Sequence, residues 1–244
     1  MPHATVPAAR RRLLVLHGLG RTPRSMRPVA RQGALLGYDV FNAGYASRRC
    51  CIHEHAAELA RTVDRRFGAD GEPLYVVTHS MGGLVLRACV AAGLLDPERI
   101  GRVVMLAPPN AGSEVADVLS RSAVFRRVIG PAGPELVTGP AGVPARLPPV
   151  PFELGVVAGA RSWNPLFSSW IGGQNDGKVS VARAGVAGMR ELLVVPHAHT
   201  FIMRAPSVLA EVFHFLEHGR FARVPLTAIM VQVAELPPAV EALA

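Results

Sequence analysis

Lysine is all but missing from this chain. Lys178 is the one lysine among 26 basic residues, which stand against 18 acids and leave a formal charge of +8. A nucleic-acid-binding chain gathers its Arg and Lys on one element. Here the arginines are scattered, with small knots at Arg10–Arg12, Arg48–Arg49, Arg65–Arg66 and Arg126–Arg127. No nucleic-acid partner is expected, although the positive excess leaves room for peripheral contact with an anionic membrane. Cysteine is scarce as well. Cys50 and Cys51 are adjacent and do not bridge one another without strain, and Cys89 completes an odd set. That count excludes a disulfide framework and suits reduced thiols in a cytosol-like compartment.

Long apolar runs are also lacking. No stretch reaches the roughly 18 residues of a membrane span. The basic N-terminus leads into only four apolar residues, Leu13–Leu16, before His17-Gly18. That is short of the roughly 7 that a secretion-signal core needs. The segment reads as a first strand, and a cytoplasmic location is expected. His53 and His55 lie two apart on an expected helix, so they share a face poorly, and no acidic or cysteine cluster joins them as a zinc site; no metal is expected there.

What is present is a chain of 244 residues, half of them hydrophobic, which excludes a disordered protein. It suits one α/β domain over 1–244. Strands are expected at 12–16, 38–41, 74–77, 102–107, 153–159 and 191–196. Between them, helices run from about 23 to 36, 52 to 67 and 84 to 92, and a closing helix covers 206–216. Such alternation predicts a mostly parallel sheet with helices on both faces. From about 120 to 151 Pro and Gly are dense and periodicity is poor. A cap or lid-like insertion over approximately 113–151 is expected there, since long irregular stretches in compact domains are often functional. The tail, with Pro225 and Pro237-Pro238, reads equally well as strand or helix.

The most informative stretch is Leu74–Val77 running into Thr78-His79-Ser80-Met81-Gly82-Gly83 and then the apolar Leu84–Ala92. A β-branched run, a small-residue turn and an apolar helix make a strand, an elbow and a buried helix. An elbow serine is lifted above the sheet with its hydroxyl exposed. The first glycine of the G-x-S-x-G signature is replaced by Thr78, a β-branched residue that takes positive φ only at a cost. A nucleophilic serine also needs a base and a group to orient that base. Asp176 lies in the polar loop 172–179, and His199 follows the last expected strand, with His197 as the alternative base. The order Ser, Asp, His and the clustering of loops 17–22, 78–82, 108–113, 172–178 and 197–200 at strand ends point the same way. Glu114 and Asp117 are alternative acids that read more simply as solvated charges at a helix start. His79 reads as a residue that packs or hydrogen-bonds locally.

These pieces resemble the α/β-hydrolase superfamily, specifically its small bacterial esterase or lipase-like members. The resemblance is carried by His17–Thr22, Thr78–Gly83, Met105–Ser113, Asn175–Val179 and His199–Met203, in the superfamily's order, from residue 13 to about 220. It implies an α/β-hydrolase fold with Ser80 as nucleophile, His199 as base and then acid, and Asp176 as orienting carboxylate. The backbone amides of Leu19 and Met81 would form the oxyanion hole. The implied reaction is hydrolysis of a small-molecule ester or lipid through an acyl-enzyme, without metal or cofactor. Thioester cleavage or acyl transfer on the same triad, and a non-catalytic binding module, remain as alternatives. Val115, Val118, Leu119, Val124, Phe125, Val128 and Ile129, with Trp163, Phe167 and Trp170, are the residues expected to line an acyl pocket or close the core.

Overall fold

A computed structural model describes residues 11–68 and 72–223. The ambiguous tail from Pro225 onward lies outside the described residues. The described chain runs β1 (Arg12–Leu16), α1 (Arg27–Leu35), β2 (Asp39–Ala43), α2 (Ile52–Phe67), β3 (Leu74–His79), α3 (Met81–Ala91) and β4 (Ile100–Leu106). Four short helices follow or flank the next strand: α4 (Glu114–Leu119), α5 (Ala123–Ile129), α6 (Val143–Arg146) and, after β5 (Glu153–Gly159), α7 (Pro165–Ile171). The chain then continues through α8 (Val181–Ala184), β6 (Glu191–Val195) and α9 (Pro206–His218).

All six strands are parallel, in the order β2-β1-β3-β4-β5-β6. The chain winds outward from β1 to β2 and then returns past it to β3. The strand order therefore reverses between β1 and β3, which opens a crevice above the carboxyl ends of those two strands.

Burial on both faces follows from period-2 alternation along the strands. Leu14, Leu16, Val76, Val103, Met105, Leu154 and Val156 join α2 and α3 in one core. Leu13, Val15, Val77, Val104, Leu106 and Val157 pack with α9 in the other. The apolar stripe Ile52, Ala56, Leu59, Val63 and Phe67 seats α2, and Cys51 and Glu54 close a capping box at its start. Helix α3 is buried from Met81 to Cys89. Desolvation raises the Cys89 thiol to about 12. All three cysteines are free.

The 120–151 stretch differs from its irregular expectation. Three short pieces, α5, a 3-10 turn at Pro134–Leu136 and α6, interrupt it, while 130–133, 137–142 and 147–151 keep that irregular character. Among the described residues no helix is long and apolar enough to cross a membrane.

Candidate active site

The elbow after β3 is strained where the sequence pattern places the serine. Ser80 has φ 53° and ψ −127°, whereas Thr78 stays within the strand and is not among the residues at positive φ. The missing elbow glycine is therefore no obstacle, because the costly angles fall on Ser80. A non-glycine residue held this way costs about 1–3 kcal/mol and persists only where its surroundings enforce it. Here the Ser80 amide donates to Leu106 O of β4 (2.9 Å), and the Gly83 amide donates to Ser80 O (3.0 Å). The loop after β1 lies against the elbow. A Cβ on Gly18 would come within 2.9 Å of Ser80 Cβ, and one on Gly82 within 2.8 Å of His17 O. Only glycine permits either approach.

Ser80, Asp176 and His199 meet at this crevice. Asp176 Oδ2 lies 2.7 Å from His199 Nδ1, and His199 Nε2 lies 3.1 Å from Ser80 Oγ. The carboxylate fixes the tautomer: Nδ1 carries the proton, which leaves Nε2 free to accept from the serine hydroxyl. The other carboxylate oxygen, Oδ1, accepts the amides of Lys178 (2.9 Å) and Val179 (2.8 Å). The His199 amide in turn donates to Asp176 O (3.0 Å). His197 stands apart, with Nε2 3.3 Å from Ser207 Oγ, and makes no contact with Ser80. Glu114 and Asp117 are engaged elsewhere rather than solvated. Glu114 holds Ser180 Oγ and Arg183 (both 2.8 Å), and Asp117 holds the amide and hydroxyl of Thr138 (both 2.8 Å).

Of the two residues expected to supply oxyanion amides, Met81 directly follows the serine, and Leu19 lines the same cavity. Met81 opens α3, where main-chain N–H groups have no partner within the helix and the helix dipole is positive. Among the described residues neither amide has a hydrogen-bond acceptor. The Leu19 loop is braced by residues that sequence reasoning passed over. Tyr45 stacks on the His17 ring at 4.3 Å between centroids, and its hydroxyl donates to His17 O (2.6 Å). Gly20 N donates to Ser47 Oγ (3.0 Å). His55 packs edge-on against Tyr45 (4.9 Å).

His79 does hydrogen-bond, but to a distant part of the chain. Its Nε2–H donates to His199 O (3.0 Å), across 120 residues of sequence, and steadies the loop that carries the imidazole. Its pKa is held well below the usual 6.5, first by burial and then by the neighbouring His199, so the ring is neutral. Arg87 is a second latch that sequence reasoning missed. Buried on α3, it donates to Asn110 O and Oδ1 and to the carbonyls of Leu147 and Pro148 (3.1–3.3 Å). Desolvation lowers it to about 10. The only sequence signal was an arginine inside an otherwise apolar helix.

Ser80, His79 and His199 open into a cavity of about 230 Å3. Val115, Leu119, Phe125, Ile129 and Phe167 line it, whereas Val118, Val124, Val128 and Trp163 are exposed. Helical spacing accounts for the division, since 125 and 129 share one face of α5 while 124 and 128 share the other.

No protein-family model matches the chain, and no curated protein matches its sequence. Solved structures do match. The mature form of the lipase BlEst2 from Bacillus licheniformis superposes with a TM-score of 0.69 at 18% identity, covering 90% of this chain and 95% of that one. The metagenomic carboxyl esterase MGS0156 gives 0.64 at 19% identity, over 96% of this chain and 78% of that one. YbtT, a type II thioesterase of the yersiniabactin pathway, gives 0.57 at 14% identity, over 89% and 97%. At these identities the likeness shows the fold alone, and the fold is that of the α/β-hydrolases.

Proposed function

We propose that this α/β-hydrolase-fold chain is a serine hydrolase that cleaves carboxylic esters. The observation that carries the reading is the unbroken chain of contacts from Asp176 through His199 to Ser80 Oγ, opening on an apolar cavity. In this mechanism Ser80 Oγ attacks the ester carbonyl carbon while His199 Nε2 takes its proton. Asp176 stabilises the imidazolium that forms. The carbonyl oxygen gains negative charge between the Leu19 and Met81 amides, where each preorganised donor contributes about 3 kcal/mol. Collapse breaks the bond to the alcohol, which leaves with the proton from His199. Water then attacks the acyl-Ser80, giving one proton to His199, and the acid departs as Ser80 Oγ recovers that proton. No step calls on a metal or organic cofactor. Residues 113–151 act as a cap over the acyl chain within a single domain.

Hydrolysis of p-nitrophenyl esters of increasing chain length tests the reading, with fluorophosphonate labelling alongside. Wild type is expected to turn over acyl chains that fit 230 Å3 and to take up the label. Ser80→Ala is expected to do neither. A folded wild type that cleaves no ester and takes no label would sink the proposal. Labelling without ester turnover would shift it to thioester cleavage or acyl transfer.

Peripheral contact with an anionic membrane is a second element of the proposal. Val124, Val128, Trp163, Leu166 and Phe201 are exposed, and Arg161 and Arg204 sit over the rings of Trp163 (5.4 Å) and Phe201 (5.5 Å). Flotation with anionic vesicles at low salt, lost at high salt, is the expected result. No flotation at either salt would remove this element.

A further inference from the structure

The apolar cavity has two cations in its wall and no carboxylate. Arg21 and Lys178 line it together with Ser80 and His199. Both are tied to the reacting groups by neighbouring chain. Arg21 Nη2 donates to the carbonyl of Thr200, the residue after His199 (3.4 Å), and the Lys178 amide donates to Asp176 Oδ1.

This chain otherwise pairs many of its arginines. Arg66 meets Asp39, Arg99 meets Asp64, Arg102 and Arg190 share Glu153, and Arg183 meets Glu114. Among the described residues neither Arg21 nor Lys178 belongs to an ion pair. Asp176, the acid that acts on Lys178, is already committed to His199 and two amides. Lys178 is exposed as a residue, yet desolvation of its ammonium lowers its pKa, and Arg21 lowers it further while Asp176 opposes. Desolvation and then Arg204 act the same way on Arg21. Cations gathered without countercharge disfavour one another, and their cost is offset when an anion binds between them. The one lysine of the chain stands at this place, in a protein whose other cations are all arginine.

We propose that Arg21 and Lys178 form an anion subsite beside the scissile bond, so that the substrate is an acyl ester or thioester whose leaving group carries a phosphate. This rests on Ser80 being the nucleophile. The apolar wall at Val115, Leu119, Phe125 and Ile129 suits the acyl chain, which assigns the charge to the leaving group. Two cations, one forked and one a point charge, match a dianion better than a single carboxylate.

The test compares kcat/KM within two substrate pairs of equal acyl length at low ionic strength. Octanoylglycerol and octanoylglycerol phosphate represent a lipid headgroup. S-Octanoyl-2-mercaptoethanol and its phosphate monoester represent a soluble thioester. In at least one pair the phosphorylated member is expected to be favoured about tenfold, and the preference to shrink with added salt. That pair identifies the source of the phosphate. Arg21→Gln and Lys178→Gln should each lower the ratio at least about threefold, and Lys178→Arg should restore most of it. The ratio is read within one protein preparation, so partial loss of folded enzyme does not mimic the effect. Ser80-dependent turnover with no preference in either pair, or a preference untouched by the two substitutions, would overturn the anion subsite and leave the hydrolase intact. No Ser80-dependent turnover of any of the four would overturn both.

Discussion

The two walls of the cavity are held in different ways. The strand-end wall is locked through polar atoms: Ser80 to β4, Asp176 to two amides and His199, and His199 to Asp176 and His79. The opposite wall is made of α4, α5 and α7, none longer than seven residues. Helices below about 12 residues do not stand alone in water, so these depend on the apolar contacts of their inner faces. Point latches supplement the packing, such as Asp117 on Thr138, Glu135 on the Ile52 amide and Arg87 on the 147–148 carbonyls. The difference matches two tasks. Proton transfer and attack tolerate little displacement, whereas accommodation of an acyl chain asks only for an apolar shape.

The largest expected effect probes the locked wall. Asp176→Asn should lower kcat about 10^3- to 10^4-fold through the wrong imidazole tautomer, with KM little changed. A loss under tenfold in ester kinetics would break the comparison at its strong end. Next in size, Arg87→Met should cost about 2–3 kcal/mol in urea unfolding, because buried carbonyls lose a charged donor. A variant of wild-type stability would remove Arg87 from the latches.

Smaller again, Phe125→Ala should lower kcat/KM about tenfold on long-chain esters and leave acetate ester turnover nearly unchanged. Equal losses on both would mean that the helical wall positions the reacting groups too.

The smallest effect is the pH dependence of stability. Burial depresses the folded-state pKa of both His17 and His79 below 6.5. The unfolded chain therefore binds these protons first. Stability is full above about pH 6.5 and declines as pH falls from there toward the depressed folded values. His79→Gln, which keeps an N–H for the His199 carbonyl, should make that decline shallower in urea titrations between pH 7 and 5. An unchanged slope would show that His79 does not contribute to it.

Much of the strand-end wall was legible in the sequence because local signals coincide there. β-branched runs end in small-residue turns, and five polar or glycine-bearing loops come in one order, four directly after strands and 172–178 beyond α7. The helical wall was harder to read. Its helices are too short to show a period, although Ser113, Ser122 and Asn164 cap them and Gly130 and Gly172 stop two of them. Thr78 misled in the opposite sense. It departs from the elbow pattern, yet the positive φ belongs to Ser80 and threonine fits the strand.

By itself the sequence determined the alternation of strands and helices, the α/β class and the grouping of reactive residue types at strand ends. Those follow from periodicity and turn chemistry, which act over a few residues. The sequence favoured His199 over His197 as the base, but only the tertiary structure brings its ring to Ser80 and turns His197 to Ser207. The tertiary structure also decided that His79 reaches across to the His199 loop, and that Arg21 and Lys178 share one cavity. Each of these depends on which strands lie side by side and on the turn into which each loop folds. A two-residue step along a loop, invisible to composition, separates an imidazole 3.1 Å from the serine from one bonded to Ser207.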